Sequence, residues 1–153
     1  MKDDLYYLNE AIKEAEKACS KDEVPVGCVI VYEEKIIARS HNLRETKKNA
    51  LAHAEIIAID KACRKLKQKF LDGATMYVTL EPCIMCCGAI IQARIKKVVY
   101  GAKEPKFGCA NSLGNVFSDY KFNHQVEVVS GIKEEEISEM MKDFFKSKRN
   151  SKK

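Results

Sequence analysis

The passage Thr79-Leu80-Glu81-Pro82-Cys83-Ile84-Met85-Cys86-Cys87-Gly88-Ala89-Ile90-Ile91 constrains this chain most, since it reads as an apolar strand running through a proline into a helix that opens with Cys83 and Cys86. Cysteines at i and i+3 of a first helical turn share one face, beside free backbone N–H groups and the positive end of the helix dipole. Both effects favour thiolates, the form a metal needs. Pro82 suits its place because its fixed φ begins a helix well and its missing N–H would have lacked a partner there anyway. A Cys-x-x-Cys alone fits zinc or redox chemistry, so a partner motif has to decide. That partner is Ala52-His53-Ala54-Glu55, at the start of another predicted helix. His53 and Glu55 cannot share one face of a regular helix. With His53 as a ligand at the helix start, Glu55 projects beside the metal and is better placed to handle protons on a water than to coordinate. Three protein ligands and an open position make the catalytic zinc pattern, whereas structural zinc is closed by four. Two thiolates already neutralise Zn²⁺, so a neighbouring base helps to activate the water.

A length of 153 residues fits one domain with a sizeable core, because chains of that size bury roughly 70% of their unfolded surface. We expect a single domain over residues 1–149 and a short basic tail over 150–153. The charged start Met1-Lys2-Asp3-Asp4 lacks the apolar run of a signal peptide, and no stretch nears the ~20 apolar residues of a membrane span. The expectation is a cytoplasmic protein with no membrane partner. Its seven cysteines then read as thiols or metal ligands rather than a disulfide framework. The net charge of +5 permits nucleic acid as a partner and proves nothing by itself.

Apolar residues at Leu5, Leu8, Ile12, Ala15 and Cys19 make a helical stripe over residues 5–19, with Lys13, Glu14, Glu16 and Lys17 on the other side. Val24-Pro25-Val26-Gly27 breaks it, and residues 28–31 and 36–40 around Glu33-Glu34-Lys35 read as a hairpin. Gly27 either lets backbone approach closely or simply turns the chain. Residues 41–49 form a polar, basic loop leading to the His53 helix and are a candidate substrate loop. A broadly apolar helix follows over 54–66, ending among Lys61, Arg64, Lys65, Lys67 and Lys69, cations that suit a helix C-terminus without any RNA. Strands at 76–80 and 97–101 flank the Cys83 helix, and the β-α-β-α-β order implies a sheet with helices on its faces. The glycine-punctuated stretch 101–114, with Lys103, Glu104, Lys106, Phe107 and Cys109, is long for a plain connection and is a second candidate for substrate contact. A last strand at 126–129 precedes a helix over 133–149 whose Met140, Met141, Phe144 and Phe145 read as core or dimer packing. The helix over 83–91 is apolar nearly all round and needs cover on more than one side; a second subunit is one way to provide it.

His53-Ala54-Glu55 with Pro82-Cys83-Ile84-Met85-Cys86 fits the known H-x-E…P-C-x-x-C signature of zinc nucleoside and nucleobase deaminases. Glu23-Val24-Pro25-Val26-Gly27, His41-Asn42, Arg94-Ile95, Val98-Val99-Tyr100-Gly101-Ala102, Ser112-Leu113, Asn123-His124 and Asp143-Phe144-Phe145 extend the match. From about Asp4 to Arg149 the chain resembles the bacterial tRNA-specific adenosine deaminases. The resemblance implies an α/β fold in three layers, α/β/α, like that of cytidine deaminases, with a central mixed sheet of about five strands. It also implies a homodimer with one Zn²⁺ per subunit, converting the wobble adenosine of an arginine tRNA anticodon to inosine by hydrolysis. By motif position it makes His53, Cys83 and Cys86 the zinc ligands and Glu55 the catalytic, proton-shuttling residue. Asn42 corresponds to the residue that hydrogen-bonds the target base, with Val26 and Ala54 near it. Glu104 and Asn123 match substrate-loop positions, and Phe145 and Arg149 fall on a C-terminal helix that touches the anticodon stem-loop. Glu104 departs from an expected aspartate, and Cys28, Cys87 and Cys109 stand where small residues are usual; buried cysteine packs as a small hydrophobe.

A base inside a stack cannot reach a metal, so the substrate should be looped or single-stranded RNA with its target flipped out. Arg44, Lys47, Lys48, Lys106, Phe145, Lys148 and Arg149 are candidates to hold the backbone and neighbouring bases. Three other readings compete. A deaminase of free cytosine, guanine or nucleosides such as cytidine shares the zinc chemistry. A structural zinc module would need a fourth ligand such as Cys87, Cys109 or His124. A thiol–disulfide oxidoreductase would use Cys83 and Cys86 and leave His53 and Glu55 unexplained.

Overall fold

In the computed structural model, which describes residues 2–151, Asp3 accepts a hydrogen bond from the Tyr6 N–H at 2.9 Å and caps α1 (Asp4–Ser20). α1 turns Tyr7, Leu8, Ala11, Ile12, Ala15 and Ala18 inward. The stripe differs from the expected one: Leu5 and Cys19 are exposed, and Glu14, assigned to the solvent side, is buried. Its carboxylate takes hydrogen bonds from Lys17 Nζ at 2.7 Å and His41 Nδ1 at 3.0 Å, and Glu10 one turn earlier pairs with Arg39 and Lys13. A carboxylate with partners can face inward, and an apolar period has no way to register those partners. Lys21 Nζ approaches His41 Nε2 at 3.0 Å, which makes that nitrogen the acceptor and leaves Nδ1–H to donate to Glu14.

β1 (Gly27–Tyr32) and β2 (Lys35–His41) form the hairpin, turned by Glu33 and Glu34 at φ +50° and +64°, the left-handed pair that a two-residue type I′ connection needs. The chain continues through α2 (Arg44–Lys47), α3 (Ala54–Leu66), β3 (Thr75–Leu80), α4 (Ile84–Gln92), β4 (Lys97–Ala102), α5 (Val116–Asp119), β5 (Glu127–Ser130) and α6 (Glu134–Ser151). The five strands lie in the order β2-β1-β3-β4-β5; β1 is antiparallel to both neighbours, whereas β3, β4 and β5 run parallel. This is the mixed sheet the resemblance implies.

Side-chain alternation sorts the core into two layers. Cys28, Ile30, Met76, Val78, Val98 and Tyr100 meet Ala54, Ala58 and Ala62 of α3, Cys87 and Ile90 of α4, and Phe117 of α5. Val29, Val31, Tyr77 and Val99 meet Tyr7, Leu8, Ala11 and Ile12 of α1 and Ile137 of α6. The fold is therefore α/β/α. Gly27 is where α1 presses on the sheet: a Cβ there would stand 2.0 Å from Ala11 O and 2.4 Å from Ala15 N, so only glycine admits this approach.

The strand directions gather function at one end. Register pairs Gly27 with His41, Cys28 with Val78 and Leu80 with Ala102. The segment before β1 and those after β2, β3 and β4 thus emerge on the same edge, outside the carboxyl ends of the parallel strands, the usual place for a ligand in such sheets. α6 runs to Ser151, past the 149/150 division expected between domain and tail; Lys152 and Lys153 lie outside the described residues. Among the described residues no helix is long and apolar enough to cross a membrane.

Candidate metal centre and substrate cavity

His53 and Cys83 are the N-cap residues of α3 and α4, each extended in backbone and neither spending its side chain on a capping hydrogen bond. Both side chains are thus free to turn toward one another, and Cys86, three residues on, completes the group. His53 Nδ1 lies 3.7 Å from Cys83 Sγ and 3.6 Å from Cys86 Sγ. A tetrahedral zinc with bonds of about 2.3 Å to sulfur and about 2.0 Å to imidazole nitrogen sets each S···N separation at about 3.5 Å. The donors already stand at zinc spacing. The thiols differ in acidity: the hydrogen bond from Cys86 lowers Cys83 to about 4, against burial and with help from His53. The same sulfur contact and burial push Cys86 up. A dication held by these donors would take the place of the shared proton, with both sulfurs as thiolates.

No further histidine, cysteine or carboxylate joins this cluster among the described residues. The Cys87 thiol donates to Pro82 O at 3.7 Å, and His124 Nε2 bonds Ile95 O at 2.7 Å near the start of β4. The closed, four-ligand site is thereby not what the chain builds. All seven cysteines are free thiols.

His53 and Cys83 of this cluster line a cavity of about 630 Å³, with Cys86 buried behind them. Val26, Asn42, Ala54, Glu55, Glu104 and Phe145 line it together with His53 and Cys83. Glu55, the second residue of α3, is 4% exposed, and burial pushes its carboxyl up from the ordinary glutamate value. Asn42 is fixed from both sides: its Oδ1 accepts from Arg44 N at 3.1 Å, while its Nδ2 makes a long 3.5 Å contact to Val24 O. A donor hydrogen of that amide is left for a ligand.

Two expected residues are not brought into the cavity. Asn123 is exposed on the bend before β5. Its neighbour His124 is tied to Ile95, and the starts of β4 and β5 pair there through Lys97 and Glu127, at the opposite edge of the sheet. A motif match places a residue in the chain, not at a strand end. Arg149 is exposed on α6 one turn beyond Phe145, on the same side of the helix, and does not line the cavity wall. Within α6 the apolar stripe divides: Ile137 and Phe144 are buried, whereas Met141 and Phe145 face the cavity rather than packing as pure core. A shallower recess of about 540 Å³ beside it shares Val24 and Phe145 and adds Lys21, Thr46 and Lys148, the last paired with Asp22.

Sequence reasoning missed two buried carboxylates. Glu23, 1% exposed, accepts from Glu45 N at 3.1 Å and from Thr46 N and Oγ1, each at 2.6 Å, and so anchors α2 beside the cavity. Glu81, 3% exposed, accepts from the backbone N–H groups of Glu104, Ala110, Asn111 and Ser112 and from the Ser112 hydroxyl. Burial opposes charge at Glu81, yet these donors outweigh it and hold the carboxyl below the usual range. An acidic residue set between Leu80 and Pro82 in an otherwise apolar passage is the signal that could have found it.

A model of the MafB19-like deaminase family matches residues 2–149. The tRNA-specific adenosine deaminase of Bacillus subtilis (strain 168) is 54% identical over 153 residues, all of this chain and 95% of that protein. A solved chain from a study of A-to-I editing by tRNA:A34 deaminases at the wobble position of transfer RNA superposes with a TM-score of 0.85 at 44% identity, covering 88% of this chain and 98% of that one. The guanine deaminase of Bacillus subtilis is similar over a shorter span, with a TM-score of 0.62, 40% identity, and 64% of this chain and 63% of that one covered.

Proposed function

Because the chain belongs to the MafB19-like deaminase family, we propose that it is a hydrolytic deaminase converting adenosine to inosine at the wobble position of a tRNA anticodon, with arginine tRNA as the carrier. The observation that carries this reading is the His53–Cys83–Cys86 cluster, with buried Glu55 lining the same cavity as His53 and Cys83. It is supported by whole-chain similarity to a tRNA-specific adenosine deaminase. His53 Nδ1 and the sulfurs of Cys83 and Cys86 would hold one Zn²⁺ per subunit. Bound there, zinc supplies the Lewis acidity that makes water a competent nucleophile toward C6 at neutral pH.

The remaining work falls to the chain's own groups. Glu55 takes the proton from the water, gives it to purine N1 as the ring loses aromaticity, and relays a proton to the exocyclic amine, which leaves as ammonia. Asn42 orients the base. Its Nδ2 keeps one hydrogen beyond the contact to Val24 O, and with N1 reserved for Glu55, N7 is the acceptor near C6 that this hydrogen would reach. Val26 and Ala54 bound the base, Glu104 and Phe107 form the wall contributed by the segment after β4, and Phe145 offers a face for stacking. Arg149, exposed one turn beyond Phe145, and the recess with Lys21 and Lys148 would suit the flanking backbone.

A homodimer belongs to this reading. Ile84 is 67% exposed, and Met85, Gly88, Ala89 and Ile91 are only half-buried on an apolar helix that one chain covers on one face. A Cβ on Gly88 meets nothing within 4 Å, so a side chain can leave the helix there in a single chain, and Gly88→Arg would set an unpaired cation into the subunit contact. Sedimentation should find the parent dimeric and the variant's dimer at least ~10²-fold weaker, the scale of an uncompensated buried charge. The substrate places the enzyme in the cytoplasm.

The deciding assay measures inosine in an anticodon stem-loop carrying adenosine at the wobble position, beside ammonia release from free guanine, cytosine and cytidine. Inosine without free-base turnover is the expected result. Ammonia from a free base with an unchanged stem-loop would overturn the tRNA reading in favour of a nucleobase deaminase.

A further inference from the structure

Glu81 lines the cavity with both of its carboxylate oxygens held by protein donors, and the reaction does not use it. It sits between the end of β3 and the ligand Cys83. Its oxygens gather the N–H groups of Glu104 at 3.0 Å, Ala110 at 3.1 Å, and Asn111 and Ser112 at 2.8 Å each, with the Ser112 hydroxyl as a fifth donor. The segment it gathers is the one that carries Glu104 and Phe107 into the cavity wall. Two further contacts seat that segment on the metal turn: Cys109 N–H bonds Pro82 O at 2.9 Å, and Gly108 pairs with Cys83 as an isolated bridge. The seat is close enough that a Cβ on Gly108 would stand 2.4 Å from the Glu81 carboxyl carbon.

We propose that Glu81 is a positioning residue that folds residues 104–112 against the metal turn and so sets the wall on which the RNA loop around the target base is bound. The proposal rests on the tRNA reading for its substrate, although the clamp itself can be read without any substrate. A carboxylate is the group this task needs, because both of its oxygens accept and neither donates. Its backbone N–H donates to Ala102 O at 2.9 Å whatever the side chain is, so the strand end keeps its place when the carboxylate is altered. Without an acceptor at this point, four backbone N–H groups would have to find water, and the segment would leave the wall to do so.

Glu81→Gln keeps the volume and one acceptor oxygen, but in either amide orientation its NH₂ meets a backbone N–H, that of Glu104 on one side or those of Ala110, Asn111 and Ser112 on the other. Hydrogen exchange by mass spectrometry should show amides across residues 104–112 exchanging at least ~10-fold faster, while β3 and α4 keep their protection. KM for the stem-loop should rise at least ~10-fold with kcat changed by less than ~3-fold, since binding shared by ground and transition states is what is lost. Zinc content should not change. Unchanged exchange and KM would overturn the proposal, and so would a fall in kcat and melting temperature at constant KM, which marks a role in the fold alone. If Glu81→Gln does not fold, Ser112→Ala removes one donor and leaves the carboxylate; faster exchange at 104–112 with a KM rise of ~2–5-fold is expected, and no change in either is fatal. A parent protein that makes no inosine on the stem-loop counts against the tRNA reading, whereas the exchange measurement still judges the clamp.

Discussion

Glu55→Ala is expected to bind zinc as fully as the parent and to form inosine at least ~10²-fold more slowly, the lower end of what a general acid–base contributes. Three carboxylates line the cavity, and geometry selects among them. Glu81 has its oxygens taken by five protein donors. Glu104 is drawn back along its own segment, its Oε1 accepting from Lys106 N at 3.0 Å. Glu55 is held on the first turn of α3, two residues from a ligand, buried and outside the donor cluster. Its removal should therefore leave the three donors in place, and the other two carboxylates on the cavity are held by backbone N–H groups. Glu55→Gln sharpens the test, because it fills the same space and cannot carry that proton; the two variants should lose turnover alike. Zinc by elemental analysis and inosine under single-turnover conditions separate the effects. Turnover near the parent level in either variant, at full zinc, would remove Glu55 from the mechanism.

What could be read in the sequence depended on how local each feature is. The bounds 54–66 of α3 emerge from the apolar period, and the metal donors from spacings of two and three residues at helix starts, where every contributing force acts within one turn. The buried carboxylates follow a different rule. Glu14 goes inside because His41, twenty-seven residues on, meets it, and Glu23 because Thr46 does. A pattern of apolar and polar letters scores such residues as solvent-facing. The short helix α2 was hidden for the same reason: its own N-cap, Leu43, makes no side-chain cap, and the capping oxygens come from Glu23. Asn123 shows the reverse limit: a motif match puts it among substrate-loop positions, whereas strand register sets it at the far edge of the sheet within one chain. The sequence reads Met140, Met141, Phe144 and Phe145 as one packing stripe, with Phe145 singled out only by motif match, yet a helix turns about 100° between successive residues. That rotation sends Phe144 into the core and its neighbour into the cavity.

Cys86→Ala should abolish zinc retention and, with it, turnover, while the fold survives. Cys86 is fully buried and its sulfur stands 3.6 Å from His53 Nδ1, so its loss leaves two donors, one imidazole and one thiolate. Outer-shell partners alone are worth ~10–100-fold in metal affinity, and the loss of a donor itself should exceed that range. Cys87→Ala is the matched control: the same chemical change, one residue away, at an equally buried side chain whose thiol points to Pro82 O instead. It should keep its zinc and its activity, because neighbouring helical positions differ by about 100° in direction. Dialysis followed by elemental analysis reads the metal, and melting in the presence and absence of a chelator reads the linkage. Zinc that binds only the folded state raises the melting point of the parent and of Cys87→Ala but not of Cys86→Ala. Equal zinc loss in both alanine variants would mean that the helix start, and not a particular sulfur, holds the ion. Equal retention would mean that Cys86 is not a ligand. Together with Glu55→Ala, the pair divides the site into a part that holds the metal and a part that moves the proton, a division the parent enzyme cannot display on its own.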